Sequence, residues 1–238
     1  MATMEKVKTG VTGLDEMLDG GLVANRPYVI VGPPGSGKTI LGMQFLMEGA
    51  KNRESGLYIS LEESQAELAD NMSLFGWDLL SSTVRVMDTS QDFSTEKWLI
   101  KTDSIMSKPE FSLGNLLTVL HERLATYKPK RIVIDSLTSI KMLYEKDFEM
   151  RRGLLSLMYF LFKCNATCLL TSTKMSENFM EESLASGIIK MHKIDNRGEM
   201  IHAVSIEKMR GSDFDTVLRP AKITKKGLVV FNTEAVFK

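Results

Sequence analysis

Gly32-Pro33-Pro34-Gly35-Ser36-Gly37-Lys38-Thr39 fills the pattern G-x-x-x-x-G-K-[ST] at every fixed position. Before it runs Tyr28-Val29-Ile30-Val31, a short β-rich stretch that reads as a buried strand. After it, Ile40 to Met47 reads as the first turns of a helix. Strand, glycine loop and helix together are the context that turns a pattern match into a phosphate site. The glycines let the backbone curl so that successive N–H groups point at an anion, and the helix N-terminus adds partial positive charge. In such a loop Lys38 reaches the β- and γ-phosphates, and the Thr39 hydroxyl ligates Mg²⁺. A Gly-rich turn that binds nothing is the alternative, and the complete context argues against it. Gly32 to Thr39 is therefore the expected site for a nucleoside triphosphate.

The 238 residues fit one large α/β domain, expected to span 1–238. Hydrophobic residues at 43% and charged residues at 25% are ordinary globular values, enough to bury a full core. Lysine plus arginine equals aspartate plus glutamate, 30 against 30, so composition gives no signal for nucleic acid or an anionic membrane. Cys164 and Cys168 enter an apolar strand at a spacing unusual for zinc and read as buried free thiols of a reducing compartment. Met1 to Lys6 lacks the apolar core of a secretory leader, and the longest apolar run, Leu154 to Phe162, is too short for a bilayer. The expected location is cytoplasmic, with no membrane partner. Met43, Met47, Met142 and Met158 are expected to fill gaps in the core.

Toward the N-terminus, a short helix centred on Leu14 to Leu18 is expected to lead straight into the first strand and to cap the sheet edge. Beyond the phosphate helix, Leu57 to Leu61 reads as a second strand that stops at Glu62-Glu63. Ser64-Gln65-Ala66-Glu67 is a capping box, starting a helix that runs to about Phe75 with Gly76 as its stop. Val84 to Met87 is a third strand, and Thr89 to Glu110 reads as a long, partly helical insertion. Leu113, Leu116, Leu117, Leu120 and Leu124 fall at helical spacing, with Ser112 as the expected cap. Strands follow at Arg131 to Asp135 and Thr167 to Ser172, separated by a helix over roughly 147–163. Alternating strands and helices with nearly unbroken apolar strands predict a mostly parallel twisted sheet, covered by helices on both faces. Two hairpins close the chain, turning at Asp195 to Gly198 and at Lys225 to Gly227, so an antiparallel C-terminal extension is expected.

Asp135 ends an apolar strand, where a carboxylate can hold Mg²⁺. Ser136 and Thr138, just after it, are either γ-phosphate sensors or plain turn residues. Glu62 and Glu63 could polarise an attacking water, or merely begin a helix; side chains alternate along a strand, so one of them is expected to face the nucleotide. Lys208 and Arg210 are two apart on a strand read as the edge of the sheet, so they share a face. Such a pair commonly serves only to keep an edge soluble.

Thr9-Gly10-Val11-Thr12-Gly13-Leu14-Asp15, Gly20-Gly21-Leu22, the phosphate loop, Glu62-Glu63 and Phe75-Gly76-Trp77-Asp78-Leu79 are joined by three later motifs. These are Asp135-Ser136-Leu137-Thr138-Ser139, Gly187-Ile188-Ile189 and Lys208-Met209-Arg210-Gly211. In this combination the chain resembles the KaiC-like branch of the RecA superfamily, and nearly its whole length takes part. The resemblance implies a RecA-like P-loop NTPase fold and a homohexameric ring with ATP bound between subunits. It makes Glu62 and Glu63 catalytic carboxylates, and Lys208 and Arg210 fingers that reach the next subunit's phosphates. The sequence departs from the family pattern at Phe214 and Thr216, where a His and a Lys often stand near the sugar and base.

Three functions compete. The first is a Mg²⁺-dependent ATPase, binding ATP and ADP, whose ring signals to an unidentified protein partner. The second is a nucleotide-gated binding module with little turnover, like the archaellum-motor relatives; retention of Glu62-Glu63 favours hydrolysis over this. The third is a RecA/RadA-type recombinase. Its loops would need to be basic, whereas Met175 to Glu182 is acidic, which argues against nucleic acid.

Overall fold

The computed structural model describes residues 4–79, 82–89, 113–142, 144, 146–173, 183–196 and 198–236. The expected insertion beyond Thr89, the Ser112 cap and the acidic run from Met175 to Glu182 lie outside them. The chain starts with β1 (Lys6–Val7), α1 (Leu14–Met17) and β2 (Leu22–Val23). It continues with β3 (Pro27–Val31), α2 (Lys38–Lys51), β4 (Gly56–Ser60), α3 (Gln65–Ser73) and β5 (Val84–Asp88). Then come α4 (Leu113–Tyr127), β6 (Arg131–Asp135), α5 (Leu137–Lys141), α6 (Asp147–Lys163) and β7 (Thr167–Ser172). Last are β8 (Gly187–Asn196), β9 (Glu199–Met209), β10 (Arg219–Thr224) and β11 (Gly227–Val230).

Among the described residues nine strands form one sheet in the order β11-β10-β9-β8-β3-β7-β6-β4-β5. The pairs from β8 to β5 are parallel, and β8, β9, β10 and β11 pair antiparallel. β3, β4 and β7 are buried along their whole lengths, as strands covered on both faces must be. Alternation divides their side chains between two cores. Tyr28, Ile30, Tyr58 and Leu169 pack under α1, α2 and α3. Val29, Val31, Ile59, Ile134 and Leu170 pack with Leu116, Leu120, Leu154 and Leu161 of α4 and α6.

The N-terminal motif is chiefly structural. The Thr9 N–H and hydroxyl both donate to Asp15 Oδ1 at 2.7 Å, and the Gly10 N–H reaches Oδ2 at 3.3 Å. Burial pushes the Asp15 carboxyl up, and those donors oppose the rise. Gly13 has φ 83°, and a Cβ there would lie 1.9 Å from the Val230 carbonyl, so only glycine lets α1 close over β11. The Val230 N–H donates to the Thr12 carbonyl at 2.9 Å, which seats the cap on the sheet edge as expected. Gln44 ties α2 to both segments, donating to the Gly10 carbonyl at 2.7 Å and accepting from the Leu228 N–H at 2.8 Å.

Several local expectations need correcting. α1 does not lead straight into the sheet: β2 comes first and pairs with β1 in a separate two-stranded ribbon. Leu137 to Lys141 is a helix rather than plain turn, buried through Leu137, Thr138 and Ile140. The strand before Lys208 is not an edge, because β9 lies between β8 and β10; the edges are β11 and β5. Met142 is 68% exposed, whereas Met43 and Met158 are buried in the cores. Cys164 caps the end of α6, half-buried, and Cys168 is buried in β7; both thiols are free, and burial pushes Cys164 up to about 11. Among the described residues no helix is long and apolar enough to cross a membrane.

Candidate active site

β3, β7, β6 and β4 point their C-terminal ends to the same side of the sheet, and the candidate residues gather there. In doubly wound sheets the crevice outside those ends is where ligands bind. The phosphate loop leaves β3, with the Gly32 N–H donating to the Ser172 carbonyl at the end of β7 (3.1 Å). Gly37 then caps α2 with φ 96°, a turn that aims the first helical N–H groups back into the loop. β8 outruns β3 and backs the loop: a Cβ on Gly32 would lie 2.7 Å from the Met191 carbonyl. Lys193, also on β8, brings its ammonium within 3.5 Å of the Cβ position of Gly35.

Lys38 folds over its own loop, donating to the carbonyls of Gly32 at 2.9 Å and Pro33 at 3.1 Å. Burial pushes the Lys38 ammonium down, and the charges of Asp135 and Glu62 oppose that shift. Ser36 Oγ is buried with no hydrogen-bond partner among the described residues. A buried hydroxyl without a partner is costly, and a phosphate oxygen in the cradle would satisfy it.

The structure brings together Thr39 and Asp135, the two residues expected to hold Mg²⁺. The Thr39 hydroxyl donates to Asp135 Oδ2 at 2.7 Å. Tyr58 OH donates to the same oxygen at 2.6 Å, and the Thr171 hydroxyl to Oδ1. Burial, then the charge of Asp135, pushes the Tyr58 phenol well up, so it stays a donor. Among the described residues no group of three His, Cys, Asp or Glu could hold a metal alone. A hydroxyl beside one carboxylate, with room for phosphate oxygens and waters, is the all-oxygen set that suits Mg²⁺.

Glu62 and Glu63 lie just past the end of β4. Glu62 Oε1 accepts from Ser136 Oγ at 2.5 Å and Ser139 Oγ at 2.6 Å. Glu63 is held differently: Ser60 Oγ donates to its carbonyl, and Asn71 Nδ2 stands 3.5 Å from its carboxylate. Burial pushes the Glu63 carboxyl up; the Asn71 contact opposes this, and the nearby charges of Asp135, Glu67 and Glu62 add to it.

Lys208 and Arg210 are not brought to this site. Both donate to the Ser183 carbonyl, at 3.1 and 3.0 Å, so their side chains do converge. They sit at the other end of the sheet, where Met209 pairs with Gly187 and Gly187 with Tyr28. Arg26, just before β3, donates to the Arg210 carbonyl at 2.8 Å. The whole of β3, five residues or roughly 17 Å, separates them from the start of their own phosphate loop.

Tyr58, Thr171 and Lys193 join the site without having been picked out in the sequence. The first two carry a usable signal, hydroxyls in otherwise apolar buried strands, since a buried hydroxyl needs a partner. Lys193 carries none, because its place depends on how far β8 overshoots β3.

A mostly parallel sheet, a phosphate loop after its central strand and a carboxylate closing a strand two places away define a RecA-like P-loop protein. The chain belongs to the KaiC ATPase family, whose family model, described as "ATPase: KaiC", matches residues 7–235. It is 30% identical to a UPF0273 protein of Aeropyrum pernix, over 98% of this chain and 96% of that one. It is also 30% identical to the circadian clock protein KaiC3 of Synechocystis, over 98% of this chain and 47% of that one. The chain thus spans about half the length of that clock relative. A KaiC-like protein from the hyperthermophilic archaeon Pyrococcus horikoshii OT3 has a similar crystal structure, with TM-score 0.81 and 28% identity over 96% of this chain and 100% of that one.

Proposed function

We propose that this chain binds ATP with Mg²⁺ between Gly32 and Thr39 and hydrolyses it. It would act as a homohexameric ring with nucleotide at each subunit interface, in a signalling or regulatory role in the cytoplasm. The observation that carries the chemistry is the meeting of Lys38, Thr39, Asp135 and Glu62 at one end of the sheet. Thr39 and Asp135 would hold Mg²⁺; bound there, the ion neutralises charge on the β- and γ-phosphate oxygens.

The remaining work falls to side chains. The loop N–H groups, Ser36 Oγ and Lys38 bind and orient the phosphates. As water attacks the γ-phosphorus, a new P–O bond forms, the bond to the ADP oxygen breaks, and the Glu62 carboxylate takes the proton from water. Positioning and electrostatics supply most of the rate in such transfers. Lys208 and Arg210, remote from their own loop, would serve a neighbour's phosphates.

Glu62→Gln with Glu63→Gln tests the hydrolytic half of this proposal. ATP should still bind, and single-turnover hydrolysis should fall by roughly a hundredfold or more, the scale of losing a water-activating group. Near-normal chemistry would move that role elsewhere.

A further inference from the structure

Among the described residues, hydrogen bonds reach only one oxygen of the Glu62 carboxylate. Ser136 Oγ and Ser139 Oγ both donate to Oε1, while Oε2 has no protein donor among the described residues. Both serines belong to the short helix α5. Ser136 is its N-cap residue and Ser139 lies one turn on, so they share a face. An N-cap serine ordinarily turns its hydroxyl to the backbone N–H groups of its own helix. Ser136 makes no such bond and sends its hydroxyl to Glu62. The helix is well anchored: Leu137, Thr138 and Ile140 are buried, and the Thr173 N–H donates to the Thr138 hydroxyl at 2.9 Å.

Two hydroxyl donors on one carboxylate oxygen are charge-assisted bonds, which are short and orienting. They occupy the lone pairs of Oε1 and fix the plane of the carboxylate. Among the described residues Glu63 has no hydroxyl pair of this kind on its carboxylate. We propose that Ser139, with Ser136, is a positioning residue that fixes Glu62 so that Oε2 alone meets the attacking water. This rests on hydrolysis as proposed above. Ser139 is the better residue to test, because Ser136 adjoins Asp135 in the chain.

The test uses the full chain with Mg²⁺ and ATP, reading single-turnover hydrolysis alongside affinity for a fluorescent ATP analogue. Ser139→Ala should slow hydrolysis about tenfold, the scale of losing one hydrogen bond to a charged group, and leave affinity within about twofold. Ser139→Thr keeps the hydroxyl and should recover most of the rate. In a Glu62→Gln background, Ser139→Ala should cost nothing further, since the two changes act through one group. If the alanine variant misfolds, Ser139→Cys keeps the volume with a weak donor and should slow hydrolysis in the same direction. A wild-type rate in Ser139→Ala, or a full additive loss on top of Glu62→Gln, would overturn the positioning role. A wild-type chain that does not hydrolyse, or a Glu62→Gln variant that hydrolyses normally, would instead sink the proposed function, and this inference with it.

Discussion

Asp135 shows how much one residue can require of its neighbours. Its carboxylate takes three hydroxyl donors, from α2, β4 and β7, before any ligand is considered. Lys38 is the opposite case: the only hydrogen bonds of its ammonium among the described residues are to carbonyls of its own loop, so removing it leaves the bonds between strands and helices in place. Lys38→Ala should therefore leave the melting temperature near that of the wild type and weaken binding of a fluorescent ATP analogue roughly tenfold to a hundredfold. Undiminished affinity on a folded variant would refute the phosphate site. At this scale the phosphate loop was legible, because Gly32 to Thr39 are set by local geometry, and Asp135 was picked out by its place at the end of an apolar strand. Tyr58 and Thr171 carried only the signal of a buried hydroxyl; that the partner is Asp135 was not legible, since they reach it through the lateral order of strands. The convergence of Lys208 and Arg210 followed from their two-residue spacing, although β9 proved to be an interior strand.

Among the elements, α3 was the most legible. The Glu67 N–H donates to Ser64 Oγ at 3.3 Å, and the Ser64 N–H donates to Glu67 Oε2 at 3.0 Å, closing the capping box that the four residues spell. Ser64→Ala should cost about 1 kcal/mol. For a chain of this size that lowers the thermal midpoint by roughly 2–4 °C. Calorimetry can read this, and an unchanged midpoint would mean that the helix start is held by other contacts, such as the Gln65 N–H on Asp88 at 3.0 Å. The short elements were illegible for a physical reason. β1 and β2 are two residues each and α5 is five, too brief to show a period, and tertiary contacts make them. α5 is held by its apolar underside and by the serine contacts to Glu62, neither of which a local pattern announces.

For the whole molecule, the polarity of the sheet is decisive. Every parallel strand carries its C-terminal end to the phosphate-loop side, whereas β9 runs the other way and delivers Lys208 and Arg210 to the opposite side. One copy therefore cannot bring Lys208 and Arg210 to its own loop without breaking the β8–β9 pairing. A second copy, stacked so that its Lys208 and Arg210 face the first one's loop, would complete the proposed site, and repetition of that heterologous contact would give a ring where its rotation closes. Mixing two inactive variants tests this. Lys208→Ala/Arg210→Ala subunits keep their carboxylates; Glu62→Gln/Glu63→Gln subunits keep their fingers. Where a carboxylate-competent loop meets a neighbour's intact fingers, turnover should return, and a finger in trans is worth on the order of a thousandfold in rate, well above background. ATP should also favour assembly, since the nucleotide would bridge two chains, and light scattering with and without ATP reads that directly. If the variants co-assemble and hydrolysis stays absent, Lys208 and Arg210 do not act across the interface.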